Sequence, residues 1–448
     1  MLAWFIRPVH QQPKKPMLLR PRRLVKPYFW RNLSANTAID PSKLLSLVEL
    51  TPKFLAAQKE FSYAKTQIVR AGKTQEPTID FSLLGDYPLI SGSDNTTSRS
   101  STSDSFYVDG LAKLNVPLYD FGETKNRVEA KKLRANLAKI ELNLVRESLV
   151  FDAVKFGVEV LKKRDSLALI AKKYDYLNAQ MKVAEERFKA GTGTLTDIKK
   201  IALDLIDLEG EKQRDSFEKD RAERDFFETF GESIDLYLNV LANTIPAEGS
   251  HNLELDPSNL KQIQKFTVEI RSLDREIAAI RLSKKPKVNG SITSRFFDIN
   301  KARISDYEVF GGISLSMPIY DAGIRDLETD SLEIKKEILF QEKRVTEREI
   351  KIKLQTLSKR AQTLENEISD NQKKIDATRK LLNDTEYRAE LLGEDFYKII
   401  SQTLELRRLF KSKSDLEWDM RFLASESLFV TERLIPAITL PAQTSTGS

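Results

Sequence analysis

The chain has 448 residues, 31% of them charged, with only 17 glycines and 16 prolines, a composition of long solvated helices rather than of a loop-rich β protein. It has no cysteine and two histidines, His10 and His251, far apart in loop-like sequence; this excludes disulfide staples and thiolate metal sites and argues against an imidazole-based metal or catalytic centre. The net charge of +6 is uneven: residues 1–31 carry Arg7, Lys14, Lys15, Arg20, Arg22, Arg23, Lys26 and Arg31 and no acid, leaving 64 of the 72 basic residues against 66 acids, so the body of the chain is not a nucleic-acid-binding surface.

Residues 1–40 are rich in proline and base and are expected to be a disordered leader. Met1–Ile6 is apolar but too short for a signal-peptide core, and Arg7-Pro8 ends it. No run of 18 apolar residues exists, so no transmembrane helix is predicted. Asp40-Pro41-Ser42 reads as a helix start, and helical sequence continues to about Ala71, where Gly72 and Pro77 stop it. Thr78–Leu83 alternates apolar and polar residues with a strand period. Residues 91–105 are a polar loop with nothing to bury. A second strand is predicted from Phe106 to Leu118, with Val108, Gly110, Ala112, Leu114 and Val116 on one face.

After Gly122 the period changes. Leu133, Leu137, Ile140 and Leu144 step by 4, 3 and 4 residues, a coiled-coil seam that Phe151, Val154, Val158 and Leu161 continue. Near Asp165 the phase slips; it resumes at Ile170, Tyr174, Leu177, Met181, Ala184 and Phe188. Gly191 and Gly193 break the helix, and a return helix begins at Thr194–Asp197 and ends near Gly231. Residues 242–257 form a connector. The pattern then recurs: a helix from about Ser258 to Leu282, a strand from Val288, a polar loop, a strand from Val309 to Ile319, and a long helix with Leu354, Leu357, Ala361 and Leu364 on its seam. A break near Leu391–Gly393 leads to a helix ending near Leu434, and 436–448 reads as a loose tail.

The chain is thus read as two repeats, 41–241 and 258–435, each helix, strand, strand and long helical hairpin. Pro117, Tyr119, Asp120 and Gly122 recur in order as Pro318, Tyr320, Asp321 and Gly323, 201 residues later. In each copy Pro removes a ladder donor where the sheet ends, Asp caps the following helix, Gly permits the bend, and Tyr stands where an interfacial girdle would sit. Each long helix is expected to reach roughly 110 Å. The helices of 197–230 and 258–282 together match that length, which predicts that these two stack end to end. Four strands with one apolar and one polar side suit a membrane barrel wall or a soluble sandwich. A barrel with a lumen needs strands from several chains.

These joints, the element order, Thr51–Ala57, and the tip sequence Arg187–Gly191 followed by Leu195–Ile198 resemble the TolC-like outer-membrane efflux protein family over residues 40–434. The resemblance implies a mainly α chain: long antiparallel helical hairpins forming a coiled-coil α-barrel, and four strands given to a shared trimeric transmembrane β-barrel. It implies a homotrimer in the outer membrane of a Gram-negative bacterium, extending into the periplasm. There it would be a passive exit duct for drugs or secreted protein, reached through a periplasmic adaptor and an inner-membrane transporter, with no enzymatic step and no cofactor. It places gating or adaptor contact at the tips. Thr196 and Asp197 match the first tip, and Tyr387 matches a tyrosine such an aspartate can bond. The family's arginine falls at Leu392, with Arg388 near, and its tip glycine at Glu390, with Gly393 displaced. Its acidic constriction is matched at most by Glu394 and Asp395. Export without an evident signal peptide implies a misplaced start or an unusual leader. The competing reading is a periplasmic adaptor or soluble coiled-coil scaffold.

Overall fold

The computed structural model describes residues 42–86, 107–244, 257–297, 299, 307–392 and 396–439. The leader, the polar loop at 91–105, most of the connector, and Gly393, Glu394 and Asp395 lie outside the described residues.

The chain opens with α1 (Ser42–Leu50) and α2 (Pro52–Gly72) where the sequence predicts one helix. Thr51 adopts an extended conformation and its hydroxyl accepts the Phe54 N–H at 3.3 Å, while Pro52 sits in the first turn of α2. Proline lacks the N–H that a continuous helix would need there, but loses nothing at a helix start. Strands β1 (Thr78–Asp86), β2 (Tyr107–Tyr119), β3 (Lys287–Phe296) and β4 (Tyr307–Ser316) form one antiparallel sheet in that order. The alternation in each strand aligns across the register. Phe81 opposes Ala112, Leu114 opposes Ile292, and Gly290 opposes Ile313, so one face collects the apolar set. Asp80, Lys113, Asn115, Thr293 and Ser314 belong to the other.

From β2 the chain enters α3 (Glu123–Lys189), turns, and returns as α4 (Leu195–Phe230). Gly231, with φ of 75°, ends α4 in the left-handed conformation that glycine adopts freely. Then come α5 (Leu238–Thr244) and α6 (Lys261–Leu282). From β4 the chain enters α7 (Ile324–Leu392), returns as α8 (Phe396–Val430), and closes with α9 (Leu434–Thr439). At 67 and 69 residues, the long helices span roughly 100 Å each. Among the described residues no helix is apolar enough to cross a membrane.

Helix packing sets up parallel columns. α3 packs against α2, α4, α6 and α8, and α7 packs against α6 and α8. The expected stack of α4 on α6 is not what forms. The N-terminus of α6 sits against the end of α8 instead: both oxygens of the Glu432 carboxylate accept backbone N–H groups, from Lys261 at 2.7 Å and Gln262 at 2.9 Å. These are donors a helix start leaves orphaned, and an acid there also meets the positive end of the helix dipole.

The main core lies halfway along α3. Leu149, Val150, Val154 and Val158 meet Leu44 and Val48 of α1, Phe226 of α4, Leu241 of α5 and Leu434 and Ile438 of α9. The tail predicted from 436 therefore begins later, because Ile438 is buried. A side chain at Gly157 would place its Cβ 2.6 Å from Leu241 Cδ1, so glycine there lets α5 lie against α3. A second cluster joins α7 to α8 through Leu354, Leu357 and Leu364. A third, with Ile170, Leu177, Ile201, Leu208 and Ile400, joins the two hairpins toward their tips.

Candidate functional site

Three places concentrate the candidate residues: the two joints, the hairpin tips and the sheet faces. At the first joint Asp120 Oδ1 accepts the Gly122 N–H at 3.0 Å and Oδ2 accepts the Thr124 N–H at 2.8 Å. At the second, Asp321 Oδ1 accepts the Gly323 N–H at 3.1 Å, and Oδ2 takes the Arg325 guanidinium at 2.9 Å. Both glycines have positive φ, and so do Phe121 and Ala322 just before them, at 55° and 53°. Two successive left-handed residues turn strand into helix at each joint, a strain that the aspartate bonds hold. The sequence marked the glycine but not the residue before it. Pro117 lies at a register shift between β2 and β3, and Pro318 lies beyond the end of β4. Tyr119 and Tyr320 are exposed, at 58% and 88%.

At the first tip Gly191 has φ of 73°, and Gly193 is packed so closely that a Cβ would meet Arg187 Cβ at 2.9 Å. Thr194, not Asp197, is the N-cap of α4. Its hydroxyl accepts the Asp197 N–H at 3.2 Å and donates to Asp197 Oδ2 at 2.8 Å. This is a capping pair, with Asp197 at the third helical position. Thr196 is exposed beside it. Tyr387 is 66% exposed and Arg388 is exposed.

The tyrosine that reaches from the second hairpin to the first is Tyr397. Its hydroxyl donates to Asp204 Oδ2 at 2.9 Å and its ring lies 4.6 Å from Lys200 Nζ. Burial, with the Asp204 carboxylate beside it, pushes this phenol up to about 12. Neighbouring Phe396 lies under the Arg187 guanidinium at 4.7 Å. Higher up, where the α3 seam slips, polar groups take over. Ser166 donates to Asp215 at 2.5 Å, Lys163 and Lys411 each donate to Asp215 at 3.1 Å, and these lysines also pair with Glu218 and Glu211. Burial acts against the charge on Asp215, but the bonds from Ser166, Lys163 and Lys411 outweigh it and hold the carboxyl below its usual range. Trp418 Nε1 donates to Asp165 at 2.8 Å. None of these contacts has a sequence signature beyond the slip itself, since they join residues up to 253 positions apart.

The sheet presents its apolar face without cover. Ile79, Phe81, Leu83, Val309, Ile313 and Leu315 are all at least 60% exposed. The opposite face is polar, with Asn115 donating to Asp80 at 3.3 Å. β1 and β4 are the edges, and among the described residues neither pairs with a further strand.

Residues 46–204 match the family described as Outer membrane efflux protein. Over 132 residues, 29% of this chain and 29% of the relative, the sequence is 26% identical to the outer membrane efflux protein BepC of Brucella suis biovar 1 (strain 1330); the matched segment thus spans under a third of that curated relative. The fold is similar to the Campylobacter jejuni CmeC outer membrane channel, with a TM-score of 0.68 and 12% identity over 89% of this chain and 85% of that one. It is similar to the outer membrane protein VceC of Vibrio cholerae, at 0.69 and 13% over 89% and 96%. For the open state of the Neisseria gonorrhoeae MtrE outer membrane channel the values are 0.65 and 11% over 98% and 99%. The family match is thus confined to residues 46–204, whereas the similarity of fold to solved outer-membrane channels extends over most of the chain.

Proposed function

We propose that this chain of the outer membrane efflux protein family is one wall segment of a passive exit duct in the outer membrane of a Gram-negative bacterium. The observation that carries the reading is the sheet. An uncovered apolar face opposite a polar one, with both edges unpaired, is unstable in water and incomplete in lipid. It becomes stable when copies close it into a barrel with the apolar face toward lipid. The helices then continue the lumen on the periplasmic side, and Tyr119 and Tyr320 stand at the level where membrane gives way to water.

A homotrimer supplies the closure. The helix columns have two free edges. On α7, Ile324, Leu327, Ile334, Ile338, Val345 and Ile352 are exposed and fall on one heptad stripe. On the other edge α2 exposes Leu55 and Val69, and α4 exposes Leu203, Ile206, Phe217 and Phe227. The charges complement each other near the joints: α2 bears Lys53, Lys59, Lys65 and Arg70, and α7 begins with Asp326, Glu328, Asp330 and Glu333. Of these acids, Glu333 already pairs with Arg281 of α6 and Asp326 with Lys284 just beyond it, which leaves Glu328 and Asp330 for the neighbour. One copy's α7 edge therefore meets the next copy's α2–α4 edge, head to tail around the ring. The two-hairpin chain, with its sheet at one end, leaves no role for the reading as an adaptor or soluble scaffold.

The tips are the proposed gate and the contact for a periplasmic adaptor and an inner-membrane transporter, through Arg187, Gly191, Gly193, Thr196, Asp197, Tyr387 and Arg388 with Gly393, Glu394 and Asp395. Planar-bilayer recording of detergent-extracted protein tests the reading: discrete conductance steps from a trimer are expected. A protein that is monomeric and soluble without detergent, and silent in the bilayer, overturns it. Tyr387→Phe combined with Asp197→Ala is expected to raise conductance, and unchanged conductance removes those two residues from the gate.

A further inference from the structure

The slip in the α3 seam leaves a space as well as a polar network. A cavity of about 420 Å³ opens between α3 and α8 beside that network. Its floor is apolar: Leu169 and Ile170 of α3 face Leu406 and Phe410 of α8. Its lining carries five cations, Lys172, Lys173, Arg407, Arg408 and Lys411, against one acid, Glu211.

These cations are not equivalent. Lys411 is held by Glu211 and Asp215, and Arg408 by Glu405 at 2.9 Å. Arg407 donates to the backbone carbonyl of Lys172 at 2.9 Å and lies 4.7 Å from the Tyr176 ring, so it forms a fixed wall. Lys172 and Lys173 have no carboxylate at ion-pair distance among the described residues. An apolar floor with an excess of positive charge at its rim complements a molecule of the opposite pattern. The cavity is built within one chain, from α3 and α8 with Glu211 of α4 at its margin and Arg379 of α7 over the Phe410 ring.

We infer that this cavity is a binding site for an amphipathic organic anion, with an aromatic or short alkyl body on Leu169, Leu406 and Phe410 and a sulfonate or carboxylate head at Lys172 and Lys173. The occupant would join α3 of the first hairpin to α8 of the second at the point where their direct apolar packing is interrupted. The inference is independent of the duct reading, because it concerns contacts within one chain.

The test uses the full chain in lipid nanodiscs and two dyes that share one body. Anilinonaphthalene sulfonate is anionic and N-phenylnaphthylamine is neutral. The anionic dye is expected to show a saturable component near one per chain above the lipid background. Leu169→Trp, which fills the floor, is expected to abolish it; Thr403→Trp does the same from the opposite wall. Lys172→Gln with Lys173→Gln is expected to weaken it at least about tenfold, since one lost charge-assisted contact alone is worth roughly that factor. The neutral dye is expected to bind wild type no better than the anionic dye binds that double variant. Wild-type binding indistinguishable from both tryptophan variants overturns the site. Unchanged affinity in the double lysine variant, or equal affinity for the neutral dye, overturns the assignment of an anion.

Discussion

Helices α3 and α7 have nearly equal length, follow the same kind of joint and carry the same seam, yet they live in different surroundings. α3 has neighbours on several sides and buries Ala130, Ala135, Ala153, Gly157 and Ala184, small residues that let those neighbours approach. α7 packs on α6 and α8 and keeps the other side open, with Ile334, Ile338 and Ile352 more than half exposed. The lesson is that a heptad seam specifies a long helix but not its partner. α3 is completed within the chain, whereas the open side of α7 is the one that the proposed assembly would cover with another copy.

That contrast breaks most visibly through association. Ile334→Lys with Ile338→Glu on α7 is expected to leave helix content unchanged by circular dichroism and to abolish the trimer in size-exclusion chromatography with light scattering. A trimer that persists would mean that α7's open side is not the seam. The reciprocal change lies against α3. Phe226 of α4 is fully buried, and its ring lies 4.6 Å from that of Phe230 in a tilted contact. Phe226→Ala is expected to cost about 3–5 kcal/mol, read as an earlier denaturation midpoint of the chain itself. If the α7 variant unfolds the chain, or the Phe226 variant only dissociates it, the division between the helices fails.

The sequence revealed the strands, the joints, both long helices and the first tip because each rests on a local signal: a period of two, a period of three and a half, or a glycine. It missed what depends on distant pairing. Thr51-Pro52 was visible, yet it marks a break between α1 and α2 only because the Thr51 hydroxyl caps the Phe54 N–H and Pro52 starts the new helix. Glu432 carries no motif; its capping of α6, 171 residues earlier in the chain, is what overturned the expected stack of α4 on α6. Tyr397 looked like any aromatic at a helix start, whereas Tyr387 drew notice by its position. Only the fold says which of the two meets the first hairpin within one chain.

A smaller effect probes the middle of α3, where completion within the chain has a cost. Glu147 is 2% exposed; Lys261 Nζ lies 3.7 Å away. Burial, only partly offset by Lys261, raises its carboxyl above the usual range, and Glu432 nearby adds to the rise. A carboxyl raised in the folded state binds more protons there than in the unfolded chain, so stability falls as pH climbs from about 4.5 through the folded value. Glu147→Gln is therefore expected to raise the melting temperature at pH 7, with a gain that shrinks toward pH 4. A loss at pH 7 would show that the Lys261 contact outweighs burial.

The finest distinction between the two helices is at their first residues. Both joints use an aspartate and a left-handed pair, but the aspartates spend their second oxygen differently. Asp120 Oδ2 satisfies the Thr124 N–H, one of the donors that a helix start leaves without a partner. Asp321 Oδ2 goes to the Arg325 side chain four residues on, a pair that solvent and salt screen. Removing the first leaves an orphaned backbone donor, whereas removing the second mainly frees an arginine side chain that water solvates, with a weaker contact to the Arg325 N–H lost besides. Asp120→Ala is expected to cost about 1 kcal/mol and to fray the start of α3, seen as faster amide exchange at Thr124. Asp321→Ala is expected to cost less and to lose its effect in high salt. Equal and salt-insensitive losses would mean that the turn bonds to Gly122 and Gly323, common to both joints, carry the whole contribution.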